Sequence, residues 1–265
     1  MQADALLGPA GLVAGEVFAV LLVFARLGAA LMLVPGFGER HVLPRLRLLL
    51  ALCLSLLLAP TLVTGLPVPP DEPLALAGLV VPEVVVGLLL GFAARLCLAA
   101  VHAGGSVIAL QSGLSAAAML DPSEATQSPI PAAFLGTAAL TLLFAADFHH
   151  LLLRAVAASY ATFPLTSPFA GSLDREQAAA LLVRLSAETL ATGLRIAGPM
   201  IVAGLLVNLA LGALGRMVPA FPVLFLALPV QLLLALVVLE LSLPAALGLF
   251  AHAFGGGIAW LDGTG

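Results

Sequence analysis

The stretch IAGPMIVAGLLVNLALGALG, residues Ile196–Gly215, decides the fold. It runs for twenty positions without a charge. A helix crosses about 30 Å of hydrocarbon in roughly 20 residues, at about 1.5 Å per residue. Three further stretches, Leu48–Pro70, Met217–Leu239 and Leu241–Leu261, also contain no Asp, Glu, Lys or Arg. Over the whole chain 62% of residues are apolar and 9% are charged, which excludes a soluble enzyme. The chain reads as an all-α, polytopic integral membrane protein of about six long apolar helices with shorter re-entrant ones. No polar block is long enough for a separate soluble domain, so residues 1–265 form a single membrane domain.

The ten basic residues are all arginines. Without lysine there is no P-loop Lys, Schiff base or Ser-Lys dyad, so any energy for a driven process comes from a partner or the membrane. A net charge of −4, with no basic patch interleaved with aromatics, argues against nucleic acid. Cys53 and Cys97 lie in apolar runs and read as buried small hydrophobes. The segment Met1-Gln2-Ala3-Asp4 lacks a basic n-region, so the first apolar segment is expected to stay uncleaved.

The first helix is expected over about Gly11–Val34, ended by Pro35-Gly36-Phe37-Gly38. A basic cluster follows, with Arg40, Arg45 and Arg47. The second helix is placed at Leu48 to about Leu66, and the third from Leu74 to about Ala100 with a bend at Pro82. Val101–Pro131 is rich in Gly, Ser and Ala. The fourth span is placed at Ala132–Ala146, followed by a short helix, Leu151–Thr162, too short to span. Asp174–Arg184 leads into a fifth long helix ending near Gly215. The sixth covers about Phe221–Leu241, and Pro244 starts a last helix that frays at Gly255-Gly256-Gly257. Arginine placement puts the Arg40, Arg45 and Arg47 loop in the cytoplasm.

Two strings resemble the FliR family of the flagellar type III export apparatus, with its SctT-like relatives. The first joins Gly87-Leu-Leu-Leu-Gly91-Phe92 to Ile108-Ala-Leu-Gln111-Ser-Gly113-Leu114-Ser115 and Asp121-Pro122. The second is Asn208-Leu-Ala-Leu-Gly212-Ala-Leu-Gly-Arg216-Met217-Val-Pro219, with Pro229 beyond it. Pro35, Glu39, Arg40, Pro44 and Arg45 match the family's loop after its first helix. The chain departs from the family pattern at Phe148, before His149-His150, and at Ala227-Leu228-Pro229.

The resemblance implies a core channel-forming subunit of the flagellar protein export gate, in the basal body at the bacterial inner membrane. Its partners would be FliP-like and FliQ-like subunits, a FliB-like or FlhB-like export switch protein, unfolded export substrates and membrane lipid, with no nucleic acid. No catalytic activity, cofactor or metal is implied. Residues 1–184 would be the FliP-like part and 185–265 the FliQ-like hairpin, with bent hairpins closing a helical ring. The segment 112–128 would plug the channel, carried by Ser112, Gly113, Leu114, Met119, Leu120, Asp121 and Pro122.

Small residues at Gly87 and Gly91, and at Gly204 and Gly212 around Asn208, put stripes on helix faces that suit close helix contact. Pro199 and Pro229, on either side of the Arg216 turn, suit a curved hairpin. Arg26, Glu83, Arg95, Arg195 and Glu240 fall inside apolar runs. Each would cost about 2.5–3.5 kcal/mol at mid-bilayer, so these helices should face protein or a water-filled lumen. Glu83, Arg95, Asp147 and Glu240, with broken helices, suit a proton-coupled secondary transporter as an alternative, although no inverted repeat is visible. An injectisome homologue of the same architecture is the other alternative. Asp147, His149 and His150 suggest a metal or proton relay but read as a helix end at the membrane interface. His41, His102 and His252 stand isolated.

Overall fold

A computed structural model describes residues 9–39, 41–62, 70, 72–113, 129–163, 175–217 and 223–259. Seven helices account for nearly all of these, and no strand occurs among the described residues. They are α1 (Pro9–Leu33), α2 (Pro44–Leu62), α3 (Pro73–Gln111), α4 (Ile130–Ala145), α5 (Phe148–Thr162), α6 (Arg175–Met217) and α7 (Val223–Ala259). Five are long and apolar enough to cross a membrane, and α4 with α5 would make a sixth span. The chain is an all-α polytopic membrane protein.

Prolines open several of these helices. Pro9, Pro44 and Pro73 are first residues, where the missing N–H costs nothing and φ is already helical. This shifts α2 from its expected start. The helix begins at Pro44 instead of Leu48, so Arg45 and Arg47 belong to its first turn. Inside helices, Pro60, Pro82, Pro199, Pro229 and Pro244 are all accommodated. Pro244 does not start a separate helix: α7 runs unbroken through it and on past Gly255. A proline removes one backbone hydrogen bond, and apolar helices tolerate that where neighbours or local adjustment compensate.

The second correction is larger. The third helix does not stop near Ala100 but continues to Gln111 through the Gly-rich stretch. Glycine weakens a helix by about 1 kcal/mol relative to alanine. Here its lack of a side chain serves packing. A Cβ on Gly104 would lie 2.8 Å from Ile196 Cγ2 and 2.9 Å from the Gly193 carbonyl on α6. A Cβ on Gly105 would collide with the backbone of Ala132 on α4. Successive residues on a helix point about 100° apart, so the pair opens two sides of α3 to two different helices.

The chain divides into two compact units with interleaved segments. One comprises Met1–Arg95, Phe148–Val183 and Gly256–Gly265, the other Leu96–Asp147 and Arg184–Gly255. In the first, α1 buries Leu22, Val23, Leu27, Ala30 and Leu31 along one face. In the second, α4 buries Pro131, Ala132, Leu135, Gly136, Ala139 and Leu143 at helical spacing. Cys97 is half-buried there and its thiol donates to the Ala253 carbonyl at 3.7 Å. Cys53 is exposed on α2 rather than buried, because most of α2 faces outward from the chain.

Candidate functional site

Arg26 occupies the buried face of α1, in helical phase with Leu22, Leu27 and Ala30, and is 1% exposed. Glu83 lies on the buried face of α3 with Val86 and Leu90, and is 3% exposed. The two form a bidentate pair. Arg26 Nε donates to Glu83 Oε2 at 2.7 Å, and Nη2 donates to Oε1 at 3.1 Å. The other donors reach α5: Nη1 donates to Ser159 Oγ at 3.0 Å and Nη2 to the Phe163 carbonyl at 2.8 Å. The Tyr160 ring covers the guanidinium, its centroid 3.8 Å from Cζ. A planar fork of five N–H groups suits this task in a way an ammonium does not. The carbonyl at the end of α5 also gains a cation where the helix dipole favours one.

Gly87 explains how the pair is reached. It lies one turn beyond Glu83 on the same face of α3, and a Cβ there would collide with the Arg26 carbonyl oxygen. Gly91, another turn on, would place a Cβ 2.6 Å from the Ala30 carbonyl. These two glycines therefore let α3 lie directly on α1, so that Glu83 closes on Arg26. Arg95, another charge of this unit within an apolar run, stands 3.5 Å from Glu39. Arg47 donates to the carbonyls of Glu39 and Val42, tying the loop back onto α2. Arg45 is exposed, and Arg40 lies outside the described residues.

The second unit treats its polar groups differently. Gln231 Nε2 on α7 donates to Asn208 Oδ1 on α6 at 3.0 Å, and Asn208 is exposed. Sequence reasoning singled out Asn208 but not Gln231, a lone amide in an apolar run; Asn208 stands nine residues before α6 ends at Met217 and Gln231 eight after α7 begins at Val223. The stripe around Asn208 is not uniform. A Cβ on Gly204 would lie 3.3 Å from Gln111 Oε1, whereas Gly212 has nothing within 4 Å. Arg195 and Glu240 are exposed. Hydrogen bonds between apolar helices average about 0.6 kcal/mol, so Asn208→Ala and Gln231→Ala should each cost about that much. The double variant should cost no more than either single one, measured as thermal unfolding in detergent.

Ser112 and Gly113 end α3. Ser112 is buried, its hydroxyl donating to the Ala109 carbonyl at 2.9 Å. Gly113 adopts φ +73°, a left-handed conformation that suits glycine at a helix end. Its Cβ position lies 3.3 Å from Gln231 Oε1. Leu114, Met119, Leu120, Asp121 and Pro122 lie outside the described residues. His149 and His150 open α5, their ring centroids 4.1 Å apart.

Residues 17–257 match the family described as bacterial export proteins, family 1. The chain is 39% identical over 228 residues to the flagellar biosynthetic protein FliR of Caulobacter vibrioides, covering 86% of this chain and 89% of that one. It is 32% identical over 221 residues to the flagellar biosynthetic protein FliR of Bacillus subtilis, covering 83% and 84%. It is 27% identical over 149 residues to the Yop proteins translocation protein T of Yersinia pestis, covering 56% of each.

Proposed function

Because the chain belongs to bacterial export protein family 1, with the FliR proteins of the flagellar type III export apparatus, we propose that it is a core channel-forming subunit of the flagellar export gate. In this reading it assembles with FliP- and FliQ-like subunits in the bacterial inner membrane and passes unfolded flagellar proteins outward. The observation that carries the reading is a family match from residue 17 to residue 257, nearly the whole chain. The flagellar branch is favoured over the injectisome by the higher identity and longer coverage of the FliR relatives.

The distribution of polar groups supports a multi-subunit role. Among the charges that suggested a transporter, Glu83 is bound to Arg26 and Arg95 lies beside Glu39. Arg45 and Arg47 sit in the first turn of α2, where the helix dipole disfavours cations. Their presence there fits a cytoplasmic membrane boundary that selects arginine for orientation. The plug reading assigns Ser112, Gly113, Leu114, Met119, Leu120, Asp121 and Pro122 to closing the resting channel by apolar contact.

One experiment tests the proposal. Co-expression with FliP- and FliQ-like subunits should yield a detergent-stable complex containing this chain. In that complex, deletion of Gly113–Leu120 should leave the partners bound and make the membrane leaky to small ions. Failure of the partners to co-purify, or transport by this chain alone, defeats the assembly reading. An intact complex with unchanged conductance after the deletion defeats the plug.

A further inference from the structure

Among the described residues, one trio of metal-ligating side chains converges, well apart in sequence from Arg26 and Glu83: Asp147, His149 and His150. Each offers a ligand atom within 4.8 Å of those of the other two. All three belong to the tetrapeptide Asp147-Phe148-His149-His150, so chain connectivity itself keeps them together. None of them enters the export-gate reading, and the argument from their geometry stands without it.

Two features set this turn apart from an ordinary helix end. Adjacent residues of a helix point about 100° apart, so neighbouring imidazoles in the first turn of α5 should diverge. Instead the ring centroids of His149 and His150 lie 4.1 Å apart, with the planes inclined at 39°. Asp147 has φ +57°, the one left-handed residue other than glycine among those described. Aspartate adopts this conformation more readily than most residues, yet it still costs free energy, and such strain gathers at functional sites. With that turn, the carboxylate that follows α4 comes within reach of the two rings that open α5.

The donor set is selective. Two imidazole nitrogens and one carboxylate oxygen suit zinc, iron, nickel or copper, and leave coordination positions for water or a further ligand. Magnesium and calcium take oxygen ligands and do not match it. A zinc ion with bonds of about 2.0–2.2 Å needs its donors roughly 3.3 Å apart. Asp147 and His150 are exposed, so their side chains can turn inward from 4.8 Å without repacking a core. His149 is the fixed member: half-buried, it lines a small apolar cavity with Leu31, Phe37, Leu152 and Val156.

We propose that Asp147, His149 and His150 bind one divalent transition-metal ion of the zinc class, through a carboxylate oxygen and one nitrogen of each imidazole. The bound ion cross-links the residue that follows α4 to the first turn of α5, and so stiffens the turn.

The test titrates Zn²⁺ alone into the full-length chain in detergent, purified without a histidine tag, with stoichiometry and Kd read by calorimetry. The wild type should take up one ion per chain even in excess Mg²⁺. His149→Ala and His150→Ala should each weaken binding at least roughly tenfold. The double variant should abolish it, although His41, His102 and His252 remain. His150 is exposed, so loss of binding there is not loss of a packed core. Asp147→Gly removes the carboxylate but suits the left-handed backbone, and should also weaken binding at least roughly tenfold. Saturating Zn²⁺ should raise the unfolding temperature of the wild type and leave that of the double histidine variant unchanged. Equal affinity in the wild type and the double variant would place the ion elsewhere and overturn the proposal, as would a wild type with no saturable uptake. Asp147→Gly binding as tightly as the wild type would overturn the part given to the carboxylate.

Discussion

Arg26→Leu is expected to destabilise the chain by about 3–5 kcal/mol, the cost of leaving one member of a buried ion pair alone. Glu83 would remain inside the first unit with its contact to the guanidinium removed, and Ser159 Oγ and the Phe163 carbonyl would lose the donors of Arg26. Glu83→Leu should be as damaging, since it strands a guanidinium that is 1% exposed. The double variant Arg26→Leu/Glu83→Leu should recover most of the loss. Replacing a whole buried pair by apolar residues is often neutral or better, because the desolvation penalty of both charges disappears. Arg26→Lys should remain defective, since an ammonium cannot match the bidentate carboxylate geometry while also reaching α5. Thermal unfolding in detergent, supported by the steady-state level of the chain in membranes, measures all four. A double variant no better than the worse single one would show that packing, not charge, is decisive.

This site also marks how far the sequence could be read. Arg26 and Glu83 both stand out as charges in apolar runs, and each is in phase with buried leucines of its own helix. Their pairing was not legible, because 57 residues separate them and no local pattern links two helices that meet in space. The helices themselves were legible wherever twenty apolar residues ran together. The misjudged boundaries all involve glycine and proline, whose intrinsic cost to a helix was weighed without the packing they allow. The Gly-rich stretch after Ala100 read as lying beyond the helix, yet Gly104 and Gly105 continue it and admit two neighbours to its side. Pro244 read as a start and lies within α7. At Asn208 the expected polar contact was visible, while its partner Gln231 was hidden because a lone glutamine carries no motif.

Glycine substitutions separate contact within the chain from contact with a neighbour, and they should differ sharply by position. At Gly105 even a methyl group would collide with the backbone of Ala132, which cannot rotate away as a side chain tip can. At Gly87 it would meet the carbonyl oxygen of Arg26, forcing α3 off α1 and pulling Glu83 from its partner. Overpacking of a close-packed interior costs about 1–3 kcal/mol and occasionally more. Gly87→Ala should sit at or above the top of that range, because it adds loss of the ion-pair geometry to the steric cost. Gly105→Ala should lie within it. Gly212→Ala has the opposite expectation. With nothing within 4 Å, the added methyl meets no atom of this chain. The higher helix propensity of alanine should stabilise α6 by up to about 1 kcal/mol. Gly212→Leu should likewise not lower the unfolding temperature of the isolated chain, since leucine is also a better helix former than glycine, yet it should reduce recovery of FliP- and FliQ-like partners if this stripe faces one of them. Equal stability of the Gly87, Gly105 and Gly212 alanine variants would refute the close approach of α3 to α1 and α4.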